Sequence, residues 1–117
     1  MLLQQTDIGV EFAIYIPCEA STEELDGLVE ETIEEAGGMT VTPVTGVWRN
    51  GEGENVVEDV HVLSFITAHN KVERVLELIR EMCTLLLEGG QSAILVKQGG
   101  KNSLITGTTI STIRWKA

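Results

Sequence analysis

The sequence predicts an α+β fold in which one antiparallel sheet carries both helices on a single face, and three observations support it. Residues 7–17, DIGVEFAIYIP, place Ile8, Val10, Phe12, Ile14 and Ile16 on alternate positions, the period of two of a strand with one buried face. Two later stretches repeat apolar residues three and four positions apart, and each closes on a glycine pair, as an amphipathic helix does. Between them, two runs rich in β-branched residues flank a glycine-rich tip, the pattern of a long hairpin. The order strand, helix, strand, strand, helix, strand, with extra β at the C-terminal end, is the ferredoxin-like βαββαβ plan, expected as one domain over residues 1–117.

Each element has its own signal. Ser21 with Glu24 three residues on reads as a capping box, Leu25, Leu28, Val29, Ile33 and Ala36 form the helical stripe, and Gly37-Gly38 ends it. The hairpin strands are read over residues 39–48 and 54–67, both longer than an average strand. Pro43 has no N–H to give a sheet, so the first of them belongs at an edge or a bulge. Val72, Val75, Leu76, Ile79, Met82, Cys83, Leu86 and Leu87 define the second helix, stopped by Gly89-Gly90. Residues 92–98, SAILVKQ, make a fourth strand; Gly99-Gly100 is a turn into KNSLITG, and the Thr-rich end at 108–117 offers a further short strand.

The sheet face away from the helices bears on assembly. Leu63 and Phe65 stand on the opposite parity from Val60, Val62 and Ile66, and Ala13 and Tyr15 oppose Phe12, Ile14 and Ile16. A sheet wetted on one side has no reason to be apolar on both. A homo-oligomer assembled through the helix-free face, with Phe65 in the interface, is therefore expected.

Composition narrows the function classes. A net charge of −10, with only eight Lys and Arg scattered along the chain, disfavours nucleic acid, whose phosphates need clustered cations. Seven of the acidic residues fall within 21–36, a solvated helix face or a surface for a basic partner. No apolar run approaches the roughly 20 residues that span a bilayer, and no secretory leader is visible, so a cytoplasmic protein without membrane contact is expected. Cys18 and Cys83 read as buried free thiols, and His61 and His69 match no metal-ligand spacing.

No phosphate loop, nucleophile elbow or metalloprotease motif is present, and the sequence names no cofactor. Glu58 and Asp59 alternate to opposite faces and cannot share one bond, whereas His61 shares a face with Asp59 and is the one acid-base candidate. The remaining candidates are ligand-binding. Trp48, Arg49, Asn50 and Gly51 sit at the hairpin tip, where an aromatic beside a guanidinium suits stacking and bidentate bonding. Lys97, Gly99, Gly100 and Lys101 bracket exposed N–H groups at the late turn, a cradle for an anionic small molecule or nucleotide. The tip serves equally as a protein contact, or Trp48 folds back on its own hairpin or on a neighbouring subunit.

The element order and the hairpin GVWRNGEGENVVEDVHVLSFIT resemble the small trimeric ferredoxin-like proteins of the PII and CutA groups, over residues 8 to 98. In CutA-type proteins a Trp-containing hairpin with a Gly tip precedes an acidic-then-apolar strand, echoed by Trp48, Gly51, Glu58 and Asp59; their histidine-proline-tyrosine signature is missing. In PII-type proteins this hairpin is a mobile partner-binding loop with ligands between subunits at its base. The resemblance implies a trimeric, non-enzymatic regulatory or ligand-binding module working through the 45–55 tip and the 97–102 turn. A small dimeric enzyme using His61 and a purely structural assembly protein are the alternatives.

Overall fold

The computed structural model of the chain describes residues 1–107. The alternating segment becomes β1 (Val10–Pro17), which begins later than its pattern suggests. Gly9 lies at φ +141°, and a Cβ there would stand 2.0 Å from the Thr67 carbonyl oxygen, so the chain passes a neighbouring strand end in a conformation that only glycine adopts readily. Ile8, expected in the buried row, is thereby left outside the strand and 65% exposed.

Thr22, not Ser21, caps α1 (Glu23–Ala36): its Oγ1 accepts from the Leu25 N–H at 3.1 Å, while Ser21 donates to Asp26 Oδ1 at 3.1 Å. Two adjacent hydroxyl residues were available, and the cap is the one that immediately precedes the first helical residue, Glu23. Gly37, at φ 84°, ends the helix as expected and donates to the Ile33 carbonyl at 2.8 Å.

β2 (Thr40–Arg49) and β3 (Asn55–Thr67) pair in unbroken register from Thr40 opposite Ser64 to Arg49 opposite Asn55. Pro43 is accommodated because β2 is an edge strand. After α2 (Val72–Glu88), β4 (Ala93–Gln98) and β5 (Lys101–Thr106) form a second hairpin that turns at Gly99, φ 57°. The fold is α+β: one five-stranded sheet in the order β2-β3-β1-β4-β5, every neighbouring pair antiparallel, with two helices. The expected strand in the Thr-rich end lies outside the described residues.

Phe12, Ile14 and Ile16 of β1 share one buried cluster with Val75, Ile79, Met82, Cys83 and Leu86 of α2 and Leu25 of α1, so this is the face the helices cover. Each of these larger side chains contributes roughly 1.5–3 kcal/mol on leaving water. Phe12 stands opposite Phe65 and Ile14 opposite Leu63 in the ladder, and directly opposed residues point to the same side. Leu63 and Phe65 therefore belong to the helix-covered core and not to the free face, which corrects their expected place in a subunit interface. The free face still carries Ala13, Tyr15, Val62, Ile66, Leu95 and Leu104, of which Ile66 is 41% and Leu104 66% exposed.

Candidate functional site

A cavity of about 430 Å³ opens where α1 ends beside the start of β2, on the same end of the sheet as Glu11 and Ile66. Its position follows from the glycine pair that terminates α1. With Gly37 and Gly38 the chain turns at once into Met39 and Thr40, and no Cβ fills the corner between helix end and sheet. Ile8, Met39, Phe65, Ile66 and Ala68 contribute apolar lining and Glu11, Thr40 and Ser64 polar lining; Glu11 and Thr40 are exposed, and the ladder sets Glu11 beside Ile66 and Thr40 beside Ser64 on the helix-free side, so the cavity is an open one at the end of the sheet. Among the described residues, Glu11 is the only ionisable one in the lining, and no Lys or Arg takes part in it.

The electrostatics are one-sided. A helix C-terminus carries about half a negative charge in its last carbonyls, and the last turn of α1 has no basic residue to offset it. Lys71 supplies a partial answer from outside the cavity, its Nζ donating to the Glu35 carbonyl at 3.4 Å. The site thus favours neutral or cationic ligands over anions. A second cavity, about 540 Å³, runs between the helices, lined by Glu24, Glu31, Glu81 and Arg80 together with Gly27, Leu28, Thr84 and Leu85. It is larger, yet it is a groove between charged helix faces and draws no group from the sheet.

The residues singled out from sequence fall elsewhere. Gly99 donates its N–H to the Glu11 carbonyl at 2.8 Å, which fixes the late turn beside the cavity, but Lys97, Gly99, Gly100 and Lys101 do not line it. Lys97 instead places Nζ 5.5 Å from the centre of the Tyr15 ring on the helix-free face. Trp48, Arg49, Asn50 and Gly51 stand at the opposite end, eight strand residues or about 26 Å from Thr40. Within one chain the two candidate surfaces are not brought together. At the tip, Asn50 Oδ1 accepts from the N–H groups of Glu52 at 2.9 Å and Glu54 at 3.0 Å, and Trp48 is 47% exposed rather than folded back. His61 is exposed and Asp59 with it, so no pocket encloses that pair. Among the described residues no group of three or more metal-binding side chains gathers, and no helix is long and apolar enough to cross a membrane.

No protein-family model matches the chain, and no curated protein matches it by sequence. Solved structures do match. The chain is similar in fold to a phage SAM lyase. One structure of that enzyme, in complex with S-methyl-5'-thioadenosine, aligns with a TM-score of 0.60, and one in the apo state with 0.58; each alignment has 16% identity and covers 92% of this chain and 97% of the other. The likeness is one of fold, nearly end to end. It corrects the expectation of a non-enzymatic regulatory module, because the matching fold is that of an enzyme, and it brings no support for the PII or CutA groups.

Glu11, Thr40 and Ser64 were not singled out in the sequence. Glu11 had a signal, being the lone charge inside the apolar run VEFAIYI, and the glycine pair at 37–38 read only as a helix stop.

Proposed function

We propose that this chain is a lyase acting on S-adenosylmethionine or a close adenosyl sulfonium, with the cavity beside Glu11 as its binding site. The observation that carries the reading is the cavity lining, which among the described residues is mostly apolar with two hydroxyl residues, one carboxylate residue and no cation. A nucleotide would need positive partners for its phosphates. A phosphate-free adenosyl thioether or sulfonium needs instead apolar contact for the base, hydroxyl and carboxylate partners for the ribose, and a region hospitable to positive charge. The volume, about 430 Å³, falls within the range of about 300–1,000 Å³ usual for small-molecule sites. The near end-to-end likeness to a lyase seen with S-methyl-5'-thioadenosine supports the same class.

The chemistry suits such walls. Release of methylthioadenosine breaks the bond between the sulfonium sulfur and the four-carbon amino-acid fragment, and the bonding pair stays on sulfur as a neutral thioether. The fragment is completed by its own carboxylate closing on the vacated carbon or by loss of a neighbouring proton. Closure by the carboxylate cancels the sulfonium and carboxylate charges, and loss of the proton does the same when a carboxylate takes it, so apolar walls around the sulfur favour the step over the charged reactant. We assign Glu11 to the ribose hydroxyls, where a carboxylate accepts two hydrogen bonds, because a carboxylate set against the sulfonium would stabilise the reactant more than the transition state.

The strand and helix order supports a ferredoxin-like plan, and the apolar residues left on the helix-free face support self-association through it. Arg49 and Trp48 at the tip, with Lys97 and Lys101 at the late turn, would then be contact groups between copies or toward a further partner. Incubation with S-adenosylmethionine, followed by chromatography and mass spectrometry, is the test. Methylthioadenosine should accumulate above the slow spontaneous rate given by heat-denatured protein, and more slowly with Glu11→Gln when substrate is limiting. Release no faster than with heat-denatured protein would defeat the proposal.

A further inference from the structure

The segment before β1 is tied down by a titratable contact next to the cavity. Asp7 Oδ1 accepts from the Gly9 N–H at 3.0 Å and stands 3.1 Å from His69 Nε2. Ile8, between the two tied residues, forms part of the cavity wall, and Ala68, the neighbour of His69, forms another part. At Gly9 the backbone passes so close to the Thr67 carbonyl that no side chain would fit, and among the described residues the side-chain contacts that tie the segment outward of it are those of Asp7.

We propose that Asp7 and His69 form a pH-responsive latch, which holds residues 7–9 as a strap along the cavity when the imidazole is charged and loosens when it is neutral. Imidazoles change charge between about pH 5 and 8, so the latch would operate across the physiological range. The His69 hydrogen bond first, then the Gly9 N–H and the imidazolium charge, hold the Asp7 carboxyl below its ordinary range. The sign follows: the charged contact needs the Asp7 carboxylate, which its partners keep ionised to lower pH than usual, together with a charged imidazole, so it weakens toward higher pH. The other charged groups nearby are Glu11 of β1 in the cavity, Lys71 on the same turn as His69, Glu35 of α1 with its carboxylate 4.0 Å from Lys71, and Glu73 in the first turn of α2. Both latch side chains are more than half exposed, at 63% and 75%, so the effect is a few-fold at most.

The consequence for a ligand rests on the cavity being the binding site, but the latch can be tested without one. Gly9 amide exchange, corrected for intrinsic base catalysis, and the order of the Ile8 methyl groups should be measured by NMR at about pH 5.5 and about pH 8.5, on either side of the imidazole titration. Gly9 protection and Ile8 order should both fall a few-fold at the higher pH. Asp7→Asn keeps an oxygen for the Gly9 N–H and removes the charge, and its values should be the same at both pH values. Unchanged wild-type values, or an equal response in Asp7→Asn, would overturn the latch. In a separate arm, methylthioadenosine should bind a few-fold more tightly at the lower pH in wild type only. Absence of binding at both pH values would count against the substrate reading while the amide measurement still decides the strap.

Discussion

The rings of Phe12 and Phe65 stack with centroids 5.7 Å apart and planes 14° from parallel, on the strand faces that the two helices cover. This contact ties the central strand to its neighbour beneath α2 and removes Phe65 from any role between subunits. Truncating Phe65 to Ala should destabilise the fold by about 3–5 kcal/mol, the cost of a large core cavity, read as a lower denaturant midpoint with the unfolding slope unchanged. A loss below about 1 kcal/mol would mean that this pair is not part of the core.

The proposed self-association uses the other face. Replacing Leu104 or Val62 with Asp should leave circular dichroism unchanged and lower the mass seen in sedimentation, because a charge without a partner is costly in a desolvated contact. Wild-type protein that sediments as a monomer at micromolar concentration would refute assembly through this face.

Glu11→Gln should weaken methylthioadenosine binding by roughly tenfold to a hundredfold, the equivalent of one charge-assisted hydrogen bond of about 1.5–3 kcal/mol. Lys97→Ala, outside the cavity, should leave the affinity within about twofold. Titration calorimetry of the two variants side by side separates a local contact from a change in net charge, and equal losses in both would count against Glu11.

The two thiols should differ sharply. Burial pushes Cys83 up to about 12, so at pH 8 roughly one thiol in ten thousand is a thiolate. A maleimide-type reagent should label Cys18, which is partly exposed, in the native protein and reach Cys83 only after denaturation. Equal labelling rates would show that the core opens readily.

Asn50 closes the hairpin tip by accepting two backbone N–H groups through its side chain. Asn50→Ala should speed hydrogen exchange at Glu52 and Glu54 several-fold and leave Phe12 to Ile16 unaffected. In wild type the 50–55 segment should already exchange faster than β1, since among the described residues only β2 flanks β3 on the tip side of Val60. Protection at the tip equal to that of β1 would indicate a packed tip.

The chain's own pattern determined the elements. Alternation in VEFAIYIP, the i, i+3, i+4 rows of both helices and the glycines that end them act through neighbours in sequence, so they are legible without a fold. Pro43 announced an edge strand for the same reason: the missing N–H is a property of the residue itself. The side of the sheet on which each apolar row lies was not legible. Leu63 and Phe65 have the same alternation as Val60 and Val62, and only the pairing of Phe12 with Phe65 and Ile14 with Leu63 decided which row the helices cover. The cavity likewise exists only in three dimensions. Ile8 with Glu11, Met39 and Ser64 come from three separate parts of the chain and meet because α1 stops at two glycines beside the sheet edge, while Gly9 lets the first segment pass against Thr67. Local sequence sets backbone conformation through short-range sterics and hydrogen bonds, whereas a site requires the long-range register that the packed sheet alone provides.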